Sequence, residues 1–216
     1  MPALALSERP ETVSRLDVIG KYSASPDRFV KHVALYNGEA GRIRRDEKVD
    51  VIHMGPPLER AGTTRAHALG SVPLTIDEIR EIEAWVAEVD DEYTHSSAGP
   101  RQQYQIHPPW TDKLDPDTGV RRYRRYSCAG FVLDSYQQVD IYLLIIDDQE
   151  LPEVDAHVLR AAYPELSDPR LLERWGLQGD PPWRIVLAGY VLHALDRPGG
   201  QIRQQPYMAV PGDERF

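Results

Sequence analysis

The stretch Phe29-Val30-Lys31-His32-Val33-Ala34-Leu35-Tyr36 decides the fold prediction, because it is a short run of apolar and β-branched residues that ends at Asn37-Gly38, a strong turn signal. A second run of this kind, Val49-Asp50-Val51-Ile52-His53-Met54, is closed by Gly55-Pro56-Pro57. The charged residues 39–48 separate the two runs. Together they predict an antiparallel hairpin with a long or extended tip.

The predicted hairpin brings two histidines onto one face. Alternate side chains of a strand share a face, so His32 lies with Tyr36, and His53 lies with Val51. In a symmetric hairpin the facing residues have numbers that sum to 85, which predicts His32 directly opposite His53 with Cβ atoms about 4.5–5.5 Å apart. One imidazole then hydrogen-bonds the other and fixes its tautomer. The alternatives are that both are ordinary strand histidines, or that Glu59 is the orienting group.

Outside the hairpin, the sequence predicts both helices and strands. Thr75 and Glu78 have the spacing of a capping box, and the apolar positions after them repeat at helical period, which predicts a helix over 75–93 whose buried face holds Ile76, Ile79, Ile82, Val86 and Val89. A second helix is expected to begin near Ser127 or Cys128. The other expected elements are a long loop over 96–118, a strand over 141–146, short helices over 156–162 and 170–175, a strand or helix over 184–195, and an irregular tail after residue 197.

These elements predict an α+β fold in one catalytic domain, residues 1–216, with an inserted loop at about 96–118 and a C-terminal elaboration at about 150–216. The chain has 216 residues and a formal net charge of −9. An acidic chain argues against nucleic acid as the main partner. The longest apolar run, Ile141–Ile146, is far shorter than a membrane span, and the N-terminus does not match a secretory signal. We therefore expect a cytoplasmic protein with no stable membrane insertion.

Cys128 is the single cysteine, so it forms no internal disulfide. A cysteine attacks as the thiolate, and it needs a neighbouring base or a lowered pKa. The predicted helix start directs N–H groups at the sulfur. The arginines just upstream, if one faces the thiol, are expected to lower its pKa further: Arg121, Arg122, Arg124 and Arg125. The alternative is a small buried cysteine without reactivity.

A thiol mechanism also needs donors for the developing oxyanion. The candidates are the backbone N–H of Cys128 and the side chains of Tyr126 and Tyr36. A zinc site built from His32, His53 and Cys128 suits the metal chemically, but no close-spaced His or Cys motif supports it. We expect no metal and no cofactor.

The histidine segment, residues 32–38 and 51–54, resembles the paired histidine strands of lecithin:retinol acyltransferase-like proteins. These are circularly permuted relatives of the NlpC-type cell-wall peptidases within the papain-like fold. The segment Tyr126-Ser127-Cys128-Ala129-Gly130-Phe131-Val132 is similar to the cysteine segment of the NlpC-type enzymes. The order of histidines first and cysteine later matches the permuted arrangement. The resemblance covers residues 28–57 and 123–140.

The resemblance implies a permuted papain-like fold in which Cys128 is the nucleophile, His32 the base and His53 the orienting residue. It implies a thiol-dependent hydrolase, similar to a cysteine peptidase or amidase, that cleaves an amide of a peptide or peptidoglycan-type fragment through an acyl-enzyme. The alternatives are an acyltransferase or thioesterase that acts on acyl lipids, and a catalytically silent binding module of the same fold. The expected partner is a small-molecule or peptide substrate.

Overall fold

The computed structural model describes residues 3–24 and 27–216. Its strands are β1 (Leu4–Ala5), β2 (Glu11–Val13), β3 (Val18–Tyr22), β4 (Val30–Tyr36), β5 (Gly41–Ile43), β6 (Lys48–Met54), β7 (Leu58–Arg65), β8 (Ala68–Gly70), β9 (Trp110–Leu114), β10 (Arg121–Tyr126), β11 (Glu153–Val154) and β12 (Trp183–Arg184). Its α-helices are α1 (Ile76–Ser96), α2 (Pro100–Gln103), α3 (Cys128–Gln137), α4 (Ala156–Ala162), α5 (Pro169–Arg174), α6 (Ala188–Leu195) and α7 (Gly199–Gln204). A 3₁₀ turn spans Pro164–Ser167.

The main sheet has six strands in the order β1-β8-β3-β4-β6-β7, and all its neighbouring strands are antiparallel. Strand β4 lies in the interior of this sheet, between β3 and β6. Helix α3 packs against β4 and β6, and α6 packs against β3, β4 and β8. The predicted α+β class is therefore confirmed, with the histidine strands and the cysteine helix in direct contact.

The predicted hairpin is present, but its register is different. Strands β4 and β6 pair Leu35 with Ile52 and Tyr36 with Val51, so facing residues have numbers that sum to 87 rather than 85. The tip is not symmetric, because β5 turns away to pair with β2 from the N-terminal segment. His32 and His53 consequently share a face but lie on a diagonal, and the prediction that they are directly opposite is wrong.

Both predicted helix starts are confirmed. Thr75 caps α1 with a reciprocal pair of bonds: its hydroxyl accepts from the Glu78 N–H at 3.2 Å, and the Glu78 carboxylate accepts from the Thr75 N–H at 2.7 Å. Ser127 caps α3, where its hydroxyl accepts from the Gly130 N–H at 2.8 Å. One detail of α1 was wrong: Ile76 is 68 % exposed, because contact with the core begins about one turn later, at the partly buried Ile79, and burial is complete from Ile82.

The segment 96–118 is not the predicted loop. It contains α2 and β9, and β9 pairs with β10 along the arginine-rich segment. The Pro and Gly residues mark the ends of these elements, but the pairing itself depends on a partner strand that local composition does not reveal. The connection between α2 and β9 crosses the first turn of α3, since the Ser127 N–H donates to the Pro109 carbonyl at 2.9 Å. A Cβ at Gly130 would lie only 1.9 Å from that same oxygen.

The C-terminal third contributes to the core. Helix α6 is buried at all but one of its residues, so the segment 184–195 is a helix preceded by the short strand β12. The predicted strand over 141–146 is an extended segment with one parallel bridge, from Leu144 to Tyr207, because its partner is the tail and not the sheet. That tail, predicted to be irregular, contains α7. None of the helices in the described ranges combines the length and apolarity needed to cross a membrane.

Candidate active site

The two strand histidines are hydrogen-bonded to each other. His32 Nε2 lies 2.9 Å from His53 Nδ1, and the rings meet edge to face with centroids 4.9 Å apart. Diagonal neighbours on adjacent strands are about 7–8 Å apart at their Cα atoms, a gap that two imidazoles can span. The predicted contact between the histidines is therefore confirmed, although it spans a diagonal.

Glu59 on β7 extends this contact into a chain of three groups. Its Oε2 lies 3.2 Å from His53 Nε2. A carboxylate only accepts, so the proton of neutral His53 lies on Nε2 and its Nδ1 is an acceptor. His32 must then donate from Nε2, which leaves an unprotonated lone pair on His32 Nδ1. This series of hydrogen bonds from Glu59 through His53 thus assigns the tautomer of His32.

Two glycines make room for the His53 ring. A Cβ at Gly62 would lie 2.5 Å from His53 Nε2 and 2.8 Å from Glu59 Oε2, and a Cβ at Gly55 would lie 2.9 Å from His53 Nδ1. The pairing of β6 with β7 is irregular between Val51 and His53. The glycines and this irregularity set the position of the ring.

Cys128 is the first residue of α3 and is only 2 % exposed. The backbone N–H groups of Val33, Ala129 and Cys128 itself, and the side chain of Tyr163, lie near enough to the sulfur to favour its thiolate form. Val33 follows His32 directly on β4, so the thiol lies against the strand at the position of the histidine. The helix start therefore supplies donors to the sulfur, as the sequence predicted.

The pKa of the thiol does not shift in the predicted direction. Burial raises the pKa of Cys128, and this outweighs the hydrogen bonds that favour the thiolate. None of the four upstream arginines is among the groups that shift this pKa: Arg122 is exposed, and the guanidinium groups of the other three bind elsewhere. Arg121 pairs with Glu92 at 2.5 Å and Arg124 pairs with Asp112 and Asp134 at 2.6 and 2.8 Å. Arg125 donates to the carbonyl oxygens of Tyr104 and Arg174 at 2.6 and 3.2 Å.

The imidazole of His32 is held in the neutral form. Burial, together with the nearby His53 and two lysines, lowers the pKa of His32 to about 3. At neutral pH Cys128 therefore carries a neutral thiol and His32 a neutral imidazole, and the two do not form a thiolate–imidazolium pair.

Neither tyrosine predicted as an oxyanion donor lies with its hydroxyl at the thiol. The Tyr126 hydroxyl donates to Asp134 Oδ2 at 2.6 Å in the core, and the Tyr36 hydroxyl donates to the Glu39 carbonyl at 3.1 Å. Both assignments are wrong, because the side chains point to other partners. Tyr163, at the C-terminal end of α4, contacts the sulfur in their place. No sequence signal marks Tyr163, since only tertiary packing brings it to Cys128.

A cavity of about 300 Å³ opens over the histidines. His32, His53 and Tyr163 line one part of it, and Tyr104 and Trp175 line another. The two aromatic rings of that second part are in edge contact, with centroids 5.4 Å apart. Cys128 is not among the residues that line this cavity, whereas Tyr163 both lines the cavity and lies near the thiol.

The described residues contain no group of three or more His, Cys, Asp or Glu side chains arranged to hold a metal ion. Other histidines lie outside the site. His67 contacts Asp46 at 2.9 Å, and His95 lies on the surface of α1.

Comparisons with protein-family models, with curated proteins and with solved structures find no match to this chain.

Proposed function

We propose that this chain is a thiol-dependent hydrolase that cleaves an amide through an acyl-enzyme on Cys128. His32 is the base, and His53 and Glu59 are positioning residues. The observation that carries the proposal is the hydrogen-bond chain from Glu59 through His53 to His32, which leaves the Nδ1 lone pair of His32 available. An ordinary pair of buried strand histidines does not require a carboxylate that fixes both tautomers.

The mechanism follows from these protonation states. Sγ attacks the substrate carbonyl while the thiol proton moves to His32 Nδ1, and the backbone N–H of Cys128 is the proposed donor to the oxyanion. The imidazolium gives its proton to the leaving amine as the tetrahedral intermediate collapses to a thioester. Water, deprotonated by His32, then releases the acid and restores the thiol. Glu59 stabilises the transient positive charge through His53.

The chain order and the packing support assignment to a permuted papain-like fold. His32 and His53 come first, on neighbouring strands, and Cys128 comes later at the start of the helix that packs on them. A substrate that enters the cavity reaches His32 directly, whereas Cys128 does not line the cavity, and we propose that movement of the Tyr163 side chain opens the way to Sγ.

A catalytically silent binding module is the second candidate. The observation in its favour is the buried thiol, whose pKa is raised and whose surface is 2 % exposed. In that case the cavity would bind a ligand while Cys128 stays inert behind Tyr163.

Acylation of the protein separates these candidates. The protein is exposed to p-nitrophenyl esters and p-nitroanilides, and intact-mass measurement follows the acyl group on Cys128. We expect loading of the wild type, none of Cys128→Ala, and a loss of about a hundredfold or more in His32→Ala, because a general base contributes at least that much. His95→Ala is the matched control, since the His95 side chain is 76 % exposed on α1.

Two outcomes would reject the hydrolase. One is a wild type that never loads, and the other is a His32→Ala variant that loads as fast as the wild type. The fate of the thioester distinguishes the related activities: release by water indicates a hydrolase, whereas release only by an added amine or alcohol indicates an acyltransferase.

A further inference from the structure

The charge of the cavity differs from that of the protein. The chain has a net charge of −9, yet the two lining residues with a permanent charge, among the twelve described residues that line the cavity, are Lys21 and Lys31. Glu59 contacts His53 from outside this lining. The cavity is therefore a local positive region on an acidic protein, and it attracts an anion that the rest of the surface repels.

Lys21 lies next to the base. It pairs directly with His32 across β3 and β4, so the two side chains share a face at the separation of cross-strand neighbours. Both lysines act electrostatically on His32 and disfavour its protonated form. This arrangement works against a base that must accept a proton, unless a bound negative charge neutralises the lysines.

No carboxylate of the described residues forms an ion pair with Lys21. Lys31 has a protein partner and contributes only its charge. A half-buried ammonium beside a cavity, without a protein counter-ion in the described part of the chain, is suited to a ligand counter-ion.

The volume and the aromatic lining of the cavity limit which uncharged part of a ligand can bind together with the anionic group. Its volume of about 300 Å³ is at the small end of ligand sites. Tyr104 and Trp175 form a wall of aromatic rings, against which a flat or apolar group packs.

We propose that Lys21 binds an anionic group of the substrate, so that the hydrolase acts on a small acylated molecule with a carboxylate near the scissile carbonyl and an apolar group against Tyr104 and Trp175. This inference rests on the proposed function for its cleavage step, but the anion site itself does not. The bound carboxylate neutralises Lys21 while His32 takes the thiol proton. The same group therefore supplies both recognition and assistance to the base.

Equilibrium binding tests the anion site without any catalysis. Isothermal titration calorimetry compares N-acetylphenylalanine with N-acetylphenylalaninamide, which has the same shape and no charge. We expect the acid to bind about fivefold more tightly than the amide, as for a partly exposed ion pair. Lys21→Gln should remove this preference and Lys21→Arg should retain it. Lys48→Gln, an exposed lysine on β6 outside the cavity, should behave as the wild type.

Inorganic phosphate provides the second arm of the experiment. Phosphate that displaces the acid in the wild type, but does not bind to Lys21→Gln, also supports the anion site and indicates a phosphate-bearing substrate. The proposal is overturned if acid and amide bind equally, if neither binds, or if Lys21→Gln keeps the preference while circular dichroism shows it folded. Each of these results leaves the acylation test of Cys128 and His32 unaffected, so the two proposals fail separately.

Discussion

Replacement of His32 by Gln should change how stability depends on pH. Burial lowers the pKa of His32 to about 3, whereas a histidine in an unfolded chain titrates near 6.5. Between these values the unfolded state binds a proton that the folded state excludes. The stability that His32 contributes as a neutral group is therefore complete above about pH 6.5, and it is lost as the pH falls toward 3.

The size of this effect follows from the same two pKa values. At about 1.4 kcal/mol for each pH unit, the free energy of unfolding should fall by about 3 kcal/mol between pH 7 and pH 4 through His32 alone. His32→Gln lacks this titration, so its stability should fall by about 3 kcal/mol less than that of the wild type over the same interval. At pH 7 the variant should be the less stable protein, because it disrupts the hydrogen bond to His53.

Urea unfolding at pH 7, 6, 5 and 4 measures how the free energy of unfolding depends on pH in the wild type and in His32→Gln. Other groups with shifted pKa values, such as Asp17 and Glu78, titrate in both proteins and cancel in the difference. His95→Gln serves as the control, and its free energy of unfolding should depend on pH in the same way as that of the wild type. If the curves of His32→Gln and the wild type are also parallel, the pKa of His32 is not lowered by folding, and the neutral base is refuted.

Three further substitutions test other parts of the site. Glu59→Gln removes the carboxylate that fixes the histidine tautomers, so the rate of acylation should fall about tenfold while the free energy of unfolding stays unchanged. An unchanged rate of acylation would contradict the positioning role of Glu59. Tyr163→Ala should increase the rate of iodoacetamide labelling of Cys128 about tenfold or more, because the Tyr163 side chain no longer shields the thiol. An unchanged or lower labelling rate would contradict this shielding. Gly130→Ala should reduce the free energy of unfolding by about 2 kcal/mol, because its methyl group meets a carbonyl oxygen, whereas Gly200→Ala, with open space around it, should change it little. Equal stabilities of the two glycine variants would refute the close approach.

The sequence predicted those features that depend on local signals. A turn signal after β4 and a Pro-rich end after β6 delimit the histidine strands. The sequence placed a helix start near Ser127 or Cys128, and in the structure the Ser127 hydroxyl caps this helix by accepting from the Gly130 N–H. Period-two alternation placed His32 and His53 on one face. Each of these features needs only a few neighbouring residues, so the sequence alone suffices.

The predictions that failed concern features that depend on residues far away in the sequence. The register of β4 with β6 shifted because β5 pairs with β2, and no signal in the hairpin announces that partner. An arginine of β10 that faces the thiol was expected to lower its pKa, but Arg121, Arg124 and Arg125 bind carboxylates and carbonyl oxygens of neighbouring elements. Tyr163 reaches Cys128 only through the packing of the C-terminal third, which no local sequence pattern reveals.

The neutral forms of the Cys128 thiol and the His32 imidazole limit how the proton transfer of the proposed reaction can proceed. Because burial raises the pKa of Cys128 and lowers that of His32 to about 3, moving the proton from thiol to imidazole in the resting site is unfavourable. A turnover of about 10 per second corresponds to a total barrier of about 16 kcal/mol, and the cost of this transfer must fit within that barrier together with attack on the carbonyl. Proton transfer coupled to attack is therefore compatible with the structure. A negative charge at Lys21 lowers the part of the cost that comes from the lysines, which links substrate recognition to activation of the base.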